Sequence, residues 1–346
     1  MSAAEAGALL DVEHLRTYIG TPAGTVHAVD DVSLRLRKGE AYGLVGESGS
    51  GKSMFARSIL GLLPRTAARS GTAMFDGQDL LRLDGSALRE IWGKRVGVVF
   101  QDPSRSLNPV VKVERQLTEG MRRHLGIGRT EATQRAVRLL GEVGVPDPER
   151  RLDNYPGQLS GGMRQRVMIA IALSCEPDLL IADEPTTALD VTIQRQILDL
   201  LGRIRRDRDM AMILISHDLG VIAGRTDRVG VMYAGRLVES GTTAEVFARP
   251  RHRYTEALLA ATPSVTLPRH SRLKVIAGGL PDAHHPPAGC RFEARCPHRR
   301  DACADPGPEL VTVPGVDHSH RCLFPVGTGD GRSDTDLVLE EVSDGR

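Results

Sequence analysis

Aromatic side chains make up only 3% of the 346 residues, too few for a surface of base-stacking rings. Neither charge sign dominates. Lys and Arg total 45 against 44 Asp and Glu, a formal net charge of +1, so there is no general electrostatic pull toward nucleic acid or anionic lipid. Lysine itself is scarce: Lys38, Lys52, Lys94, Lys112 and Lys274 are all there is. Long apolar runs are missing as well. Val167–Leu173 and Leu179–Ala182 fall far short of the ~20 residues that cross a bilayer. Met1–Leu10 has no basic region followed by an apolar run, so a cytoplasmic chain is expected. Cysteine is sparse too, with Cys175 alone and Cys290, Cys296, Cys303 and Cys322 grouped near the C-terminus. In a reducing compartment such grouping favours a metal site over disulfides.

What is present is an α/β pattern. Val26–Leu36, Ala41–Val45, Arg95–Phe100, Leu179–Asp183 and Met212–Ser216 read as strands, and Lys52–Leu63 as a helix. Residues 104–175 turn helical. Ala132, Ala136, Leu139, Leu140 and Val143 fall on one helical face, as do Ile193, Ile197, Leu200, Leu201 and Ile204; both stripes read as core packing. Beyond residue 250 the composition shifts to Pro, His and Cys. The boundaries expected are 8–250 for the main domain, 251–326 for an extension and 327–346 for a tail without sustained pattern.

Between a strand and a helix lies Gly46-Glu47-Ser48-Gly49-Ser50-Gly51-Lys52-Ser53, which matches G-x-x-x-x-G-K-[ST]. Glycines let backbone N–H groups and a helix N-terminus wrap around phosphates. Lys52 would reach the β- and γ-phosphates of a nucleotide and Ser53 would ligate Mg²⁺. Leu179–Asp183 ends in the carboxylates Asp183 and Glu184. Asp183 would hold Mg²⁺, and Glu184 would polarise the water that attacks the γ-phosphate.

Leu159-Ser160-Gly161-Gly162-Met163, followed by Arg164-Gln165-Arg166 and an apolar helix, resembles the signature motif of ATP-binding cassette (ABC) proteins. That resemblance implies an ABC nucleotide-binding domain, a RecA-like α/β core with an antiparallel β subdomain and a helical subdomain at about 104–175. It further implies that Ser160, Gly161 and Gly162 meet the γ-phosphate of ATP held by the opposite subunit of a head-to-tail dimer. By the same resemblance Gln101 is the Q-loop glutamine that senses Mg²⁺ and water. Ala188-Leu189-Asp190 is the D-loop at the dimer interface, His217 the switch histidine and Tyr18 the aromatic that stacks on adenine. Lys52, Gln101, Ser160, Asp183, Glu184 and His217 are all present, so an ATPase is expected.

Within that family, several stretches resemble the oligopeptide/dipeptide importer subgroup. They are Val99-Phe100-Gln101-Asp102-Pro103, Ser106-Leu107-Asn108-Pro109, Tyr155-Pro156, Arg253-Tyr254-Thr255, Gly289-Cys290-Arg291-Phe292 and Arg295-Cys296-Pro297. The resemblance implies two transmembrane permease subunits, a second ABC ATPase subunit, an external peptide-binding protein and a place on the cytoplasmic face of the membrane. Nucleic acid is not among the expected partners. Nickel importers share much of the pattern. A ribosome- or DNA-directed ATPase of the same family, an exporter ATPase and a nucleotide-gated interaction module without turnover are rivals.

The cysteine spacing is C-x5-C-x6-C-x18-C, without the close C-x-x-C pair of small zinc ribbons. Resemblance to peptide-importer ATPases implies a [4Fe–4S] cluster on Cys290, Cys296, Cys303 and Cys322. Zn²⁺ with His298, His318 or His320 standing in, and plain reduced thiols, remain open beside it.

Overall fold

The computed structural model describes residues 7–187, 189–262, 275–304 and 306–327. The tail expected at 327–346 therefore lies outside the described residues except for Gly327, and so does Ala188 of the expected D-loop. The described residues divide into two compact units, one of 7–11, 35–41 and 74–215, the other of 12–34, 42–73 and 216–327.

The first unit is built on parallel strands. Val96–Val99 pairs with Leu179–Asp183 in the register Val96↔Leu179, and Leu179–Asp183 pairs with Ala211–Ser216 from Leu179↔Ala211 to Asp183↔Ile215. Leu179–Asp183 is buried along its whole length, as is the 211–216 strand. A strand covered on both faces is why these segments read as continuous apolar runs instead of alternating ones. Helices Val113–His124, Arg129–Glu142 and Gly161–Leu173 pack on one another. The expected stripe Ala132, Ala136, Leu139, Leu140 and Val143 forms part of their core. The stripe on Val191–Asp207 is buried at Ile197, Leu200, Leu201 and Ile204, whereas Ile193 is half-buried and faces Gly162.

In the second unit Ala41–Val45 runs parallel to Arg228–Tyr233, with Tyr42↔Arg228 and Val45↔Val231 in register. Arg236–Thr242 folds back antiparallel on Arg228–Tyr233. The hairpin turns at Ala234 and Gly235, both at positive φ (46° and 84°), the backbone that two-residue hairpin turns require. The strand His318–His320 then adds to the outer side of Arg236–Thr242, and Val311–Thr312 pairs with it. Strand Leu10–Thr21 lies between Gly24–Leu36 and Ala67–Phe75.

Helix Lys52–Leu60 ends earlier than its expected limit at Leu63. Gly61 adopts φ 68°, and its N–H turns back to the carbonyls of Arg57 and Ser58. A left-handed glycine closing the last turn is a stop signal that outranks the apolar Leu62-Leu63 beyond it. Among the described residues no helix is long and apolar enough to cross a membrane.

Candidate functional site

The buried strand Ala41–Val45 delivers the chain to Gly46, and the loop that follows is made possible by glycine. Gly49 and Gly51 sit at φ 82° and 103°, and a Cβ on Gly51 would lie 2.5 Å from the Ala28 carbonyl oxygen. No side chain caps helix Lys52–Leu60. Its first N–H groups and positive dipole end are thus directed to whatever the loop encloses. Lys52 is 4% exposed, and its ammonium donates to the carbonyls of Gly46 (2.7 Å) and Glu47 (2.8 Å) and to Ser50 Oγ (3.3 Å). The cation is thereby aimed into the turn of its own loop. Ser48 and Gly49 are exposed at the tip, Ser50 is buried and Ser53 is half-buried on the first helical turn.

Glu47 departs from the simple picture of an open cradle. Its N–H donates to the Tyr254 hydroxyl at 2.9 Å, and both carboxylate oxygens lie 3.1 Å from Arg295 Nη1. Tyr254 is fully buried against Tyr233 and Phe292, with ring centroids at 4.6 and 5.4 Å.

Tyr18 and His217 belong to the same unit as the loop. The Tyr18 ring packs at 4.3 Å and 40° against His27, and its hydroxyl donates to Asp30 Oδ1 at 2.7 Å. Burial, then the hydrogen bond and charge of Asp30, push the phenol up to about 12, so it remains a neutral donor at any physiological pH. His217 is exposed directly after the buried strand ending at Ser216, whose hydroxyl accepts the N–H of Asp218 at 2.9 Å.

The other unit gathers the carboxylate end. Asp183 is buried at the end of its strand. Glu184, next in the chain, takes φ 46°, an unusual conformation for a side chain of this size and of the kind that concentrates at functional positions. Its carboxylate accepts from Gln101 Nε2 and from Thr187 Oγ1, both at 2.9 Å. Gln101 and Glu184 are 83 positions apart in sequence, so this pairing is a product of the fold. Ser160 caps helix Gly161–Leu173, its Oγ accepting from Met163 N at 3.3 Å. Two residues further along that helix than Met163, Gln165 donates to the Pro185 carbonyl at 2.5 Å. A Cβ on Gly162 would meet Ile193 at 3.3 Å. Glycine at 162 thus lets the start of the signature helix approach the segment that follows Glu184, where Asp190 caps helix Val191–Asp207 by accepting from Ile193 N at 2.9 Å.

Cys290, Cys296, Cys303 and Cys322 line one cavity, together with His252 and His298. All four are free thiols. Burial pushes the Cys290 thiol up to about 11 and Cys296 up to about 12, and raises Cys322 as well. Sharing a cavity is not the same as converging on a point, however. Among the described residues no three of His, Cys, Asp or Glu are grouped to hold a metal ion, so the side chains as they stand do not fit a cluster or Zn²⁺. Of the three histidines that could stand in as zinc ligands, only His298 lines the cavity. His318 is buried in its strand with Nε2 2.7 Å from Glu239 Oε1, and neither it nor His320 lines the thiol cavity. His320 instead offers Nδ1 to the Cys322 N–H at 3.4 Å.

Three groups escaped the sequence reading. Arg295 and Tyr254 lie in stretches whose sequence carries only the subgroup resemblance. Asp30 belongs to no motif, yet it is 5% exposed and is the meeting point of Tyr18, Arg236 and Arg291. A carboxylate within a strand that buries itself deserves a cationic partner, and that was the available signal.

The ABC transporter family model matches residues 29–187, and the model for the oligopeptide/dipeptide transporter C-terminal region matches residues 238–303. The dipeptide transport ATP-binding protein DppD of Bacillus subtilis (strain 168) is 49% identical over 85% of this chain and 88% of its own length. The oligopeptide transport ATP-binding protein OppD of Escherichia coli (strain K12) is 45% identical over 93% of this chain and 95% of its own. Among solved structures, the dimeric post-hydrolysis state of the ATP-binding cassette MJ0796 bound to ADP and Pi superposes with a TM-score of 0.61 at 26% identity, covering 68% of this chain and 98% of that one. The chain belongs to the ABC transporter ATP-binding proteins, in the branch that carries the oligopeptide/dipeptide transporter C-terminal region.

Proposed function

We propose that this chain is the ATP-hydrolysing subunit of an importer of di- or oligopeptides. The observation that carries the reading is a phosphate loop with a buried, inward-aimed Lys52 in a chain whose C-terminal region matches the oligopeptide/dipeptide type. An importer of nickel or another small solute is the alternative within the same family. The nearly full-length likeness to DppD and OppD proteins favours peptides.

In this reading the backbone of 46–53 and the N-terminus of helix Lys52–Leu60 bind the phosphates, and Lys52 leaves its own loop carbonyls for the β- and γ-phosphates. Tyr18 offers its ring to adenine. Ser53 and Asp183 supply oxygen donors of the kind a hard divalent cation takes, and bound Mg²⁺ would offset the phosphate charge. Glu184, held by Gln101 and Thr187, orients and polarises the attacking water; His217 contacts the γ-phosphate. Ser160, Gly161 and Gly162 serve the ATP of a second ATPase subunit. Two permease subunits, an external peptide-binding protein and a peripheral position on the cytoplasmic face complete the proposed assembly. The division 8–250, 251–326 and 327–346 is proposed with it.

Glu184→Gln keeps the size and the contact with Gln101 but removes the base. It should lower kcat for ATP by about a hundredfold to ten-thousandfold while leaving ATP binding intact. Unchanged turnover would reject the role. Co-purification from membranes should recover two permease chains, and recovery with ribosomes or DNA alone would overturn the transport reading. For the four cysteines, the shared cavity supports a [4Fe–4S] cluster, and the lack of a converging ligand group among the described residues opposes it. Iron and acid-labile sulfide measured on anaerobically purified protein decide between them.

A further inference from the structure

Glu47 poses an electrostatic problem. It places a carboxylate in a loop whose task is to hold a polyanion, and like charges at close range oppose binding. The structure answers with Arg295. Its side chain is 5% exposed, and Nη1 lies 3.1 Å from both Glu47 oxygens and 3.2 Å from the Tyr233 hydroxyl. The rest of the guanidinium is fixed from behind. Nε donates to the Ala277 carbonyl at 2.8 Å and Nη2 to that of Ile276 at 3.1 Å. The group also lies over the rings of Tyr233 and Phe292, at 5.7 and 5.9 Å from their centroids. Apart from Glu47 itself and Tyr233, these contacts come from the C-terminal extension. Tyr254 holds the Glu47 N–H from the same side, and Leu280 Cδ1 would be 3.2 Å from a Cβ on Gly49.

We propose that Arg295 is a positioning residue of the nucleotide site, which neutralises the Glu47 carboxylate and turns it away from the phosphates, so that ATP affinity depends on the seated C-terminal extension. The proposal rests on the nucleotide reading of the 46–53 loop. A half-buried ion pair serving only as fold glue predicts something different. In that case losing either partner weakens the loop, and losing both is no better. Charge neutralisation predicts instead that removing the carboxylate repairs the loss of the arginine.

The test is the Kd of a fluorescent ATP analogue on the full-length chain, with circular dichroism to confirm folding of each variant. Wild-type binding comes first, and its absence would sink the nucleotide reading itself. Given that binding, Arg295→Gln should bind about tenfold more weakly, the scale of one uncompensated charge near the phosphates at an effective dielectric constant of ~20. Arg295→Lys should recover part of the loss. The double variant Arg295→Gln/Glu47→Gln should return to within about twofold of wild type on the same grounds. Equal affinity of Arg295→Gln and wild type, or a double variant no better than Arg295→Gln alone, overturns the proposal. Should Arg295→Gln fail to fold, Glu47→Gln alone decides. It leaves the arginine charge unopposed beside the loop and must bind at least as tightly as wild type, whereas weaker binding refutes the neutralising role.

Discussion

Replacing Asp30 with Asn isolates the charge that ties the C-terminal extension to the strand Gly24–Leu36. The Asp30 side chain is 7% exposed and pairs with Arg291, itself 4% exposed, and with Arg236 at 3.0 Å. Tyr18 donates to its other oxygen at 2.7 Å, and its N–H is held by the Gly235 carbonyl at 2.8 Å. A single contact at ~3 Å is worth about 5 kcal/mol gross at an effective dielectric constant of 20, most of it offset by desolvation. The larger effect of the substitution is to strand Arg291, and an orphaned buried charge costs about 3–5 kcal/mol. Arg236 is a quarter exposed and can turn to water, which places the expectation at the lower end, about 3 kcal/mol. At roughly 2–4 °C per kcal/mol this is a fall in Tm of about 6–12 °C by scanning calorimetry. The pH dependence gives a second handle. Burial pushes the Asp30 carboxyl up, but the Tyr18 hydrogen bond and the charges of Arg291 and Arg236 together hold it below the ordinary carboxylate value. A folded pKa below the unfolded one means the stabilisation is complete above the unfolded value of about 3.9 and is lost as pH falls through the folded one. The gap between wild type and Asp30→Asn should therefore be constant from pH 7 to about pH 5 and close below pH 4. A Tm change under 2 °C at pH 7, or an undiminished gap at pH 3, would refute the assignment of this stability to the ion pair.

Two further outcomes concern the nucleotide reading. Gly51→Ala forces a φ of 103° on a residue with a Cβ and drives that Cβ to 2.5 Å from the Ala28 carbonyl. The loop must shift, and a displacement of this order should weaken ATP binding by about a hundredfold while the far-ultraviolet circular dichroism stays that of wild type. If the active form is a homodimer with shared sites, an equal mixture of a Lys52→Ala chain and a Ser160→Arg chain should recover roughly a quarter of wild-type ATPase activity. Half of the dimers are then mixed, and each mixed dimer keeps one of two sites free of both changes. A mixture as inactive as its components would reject the head-to-tail arrangement.

The parallel strands were legible because burial on both faces writes itself as an uninterrupted apolar run, as in Leu179–Asp183. The helical stripes were legible because their period survives in Ala132, Ala136, Leu139 and Leu140. Less legible was Leu10–Thr21, where half-buried and exposed positions carry Asp11, Glu13, His14 and Arg16 and only Leu10, Val12, Leu15 and Thr17 face inward. The strand His318–His320 was not legible at all. Two histidines buried beside Glu239 look like a polar loop until the partner strand that hides them is known.

The site divides along the same physical line. Gly46, Gly51, Lys52 and Ser53 announce themselves because the chemistry of a phosphate cradle is carried by one contiguous stretch, where spacing alone encodes geometry. Ser160 and Asp183 are read the same way, each from its own few neighbours. Arg295 acts on Glu47 across 248 positions of sequence, and nothing near either residue specifies the other. An arginine beside a cysteine in a Pro-rich stretch reads as solvated, and a glutamate after Gly46 reads as a variable loop position. Only the fold that buries Arg295 against a half-buried Glu47 turns two unremarkable charges into a matched pair. Long-range matching of this sort is where sequence motifs fall silent, and also where a phosphate loop can be made answerable to a distant part of its own chain.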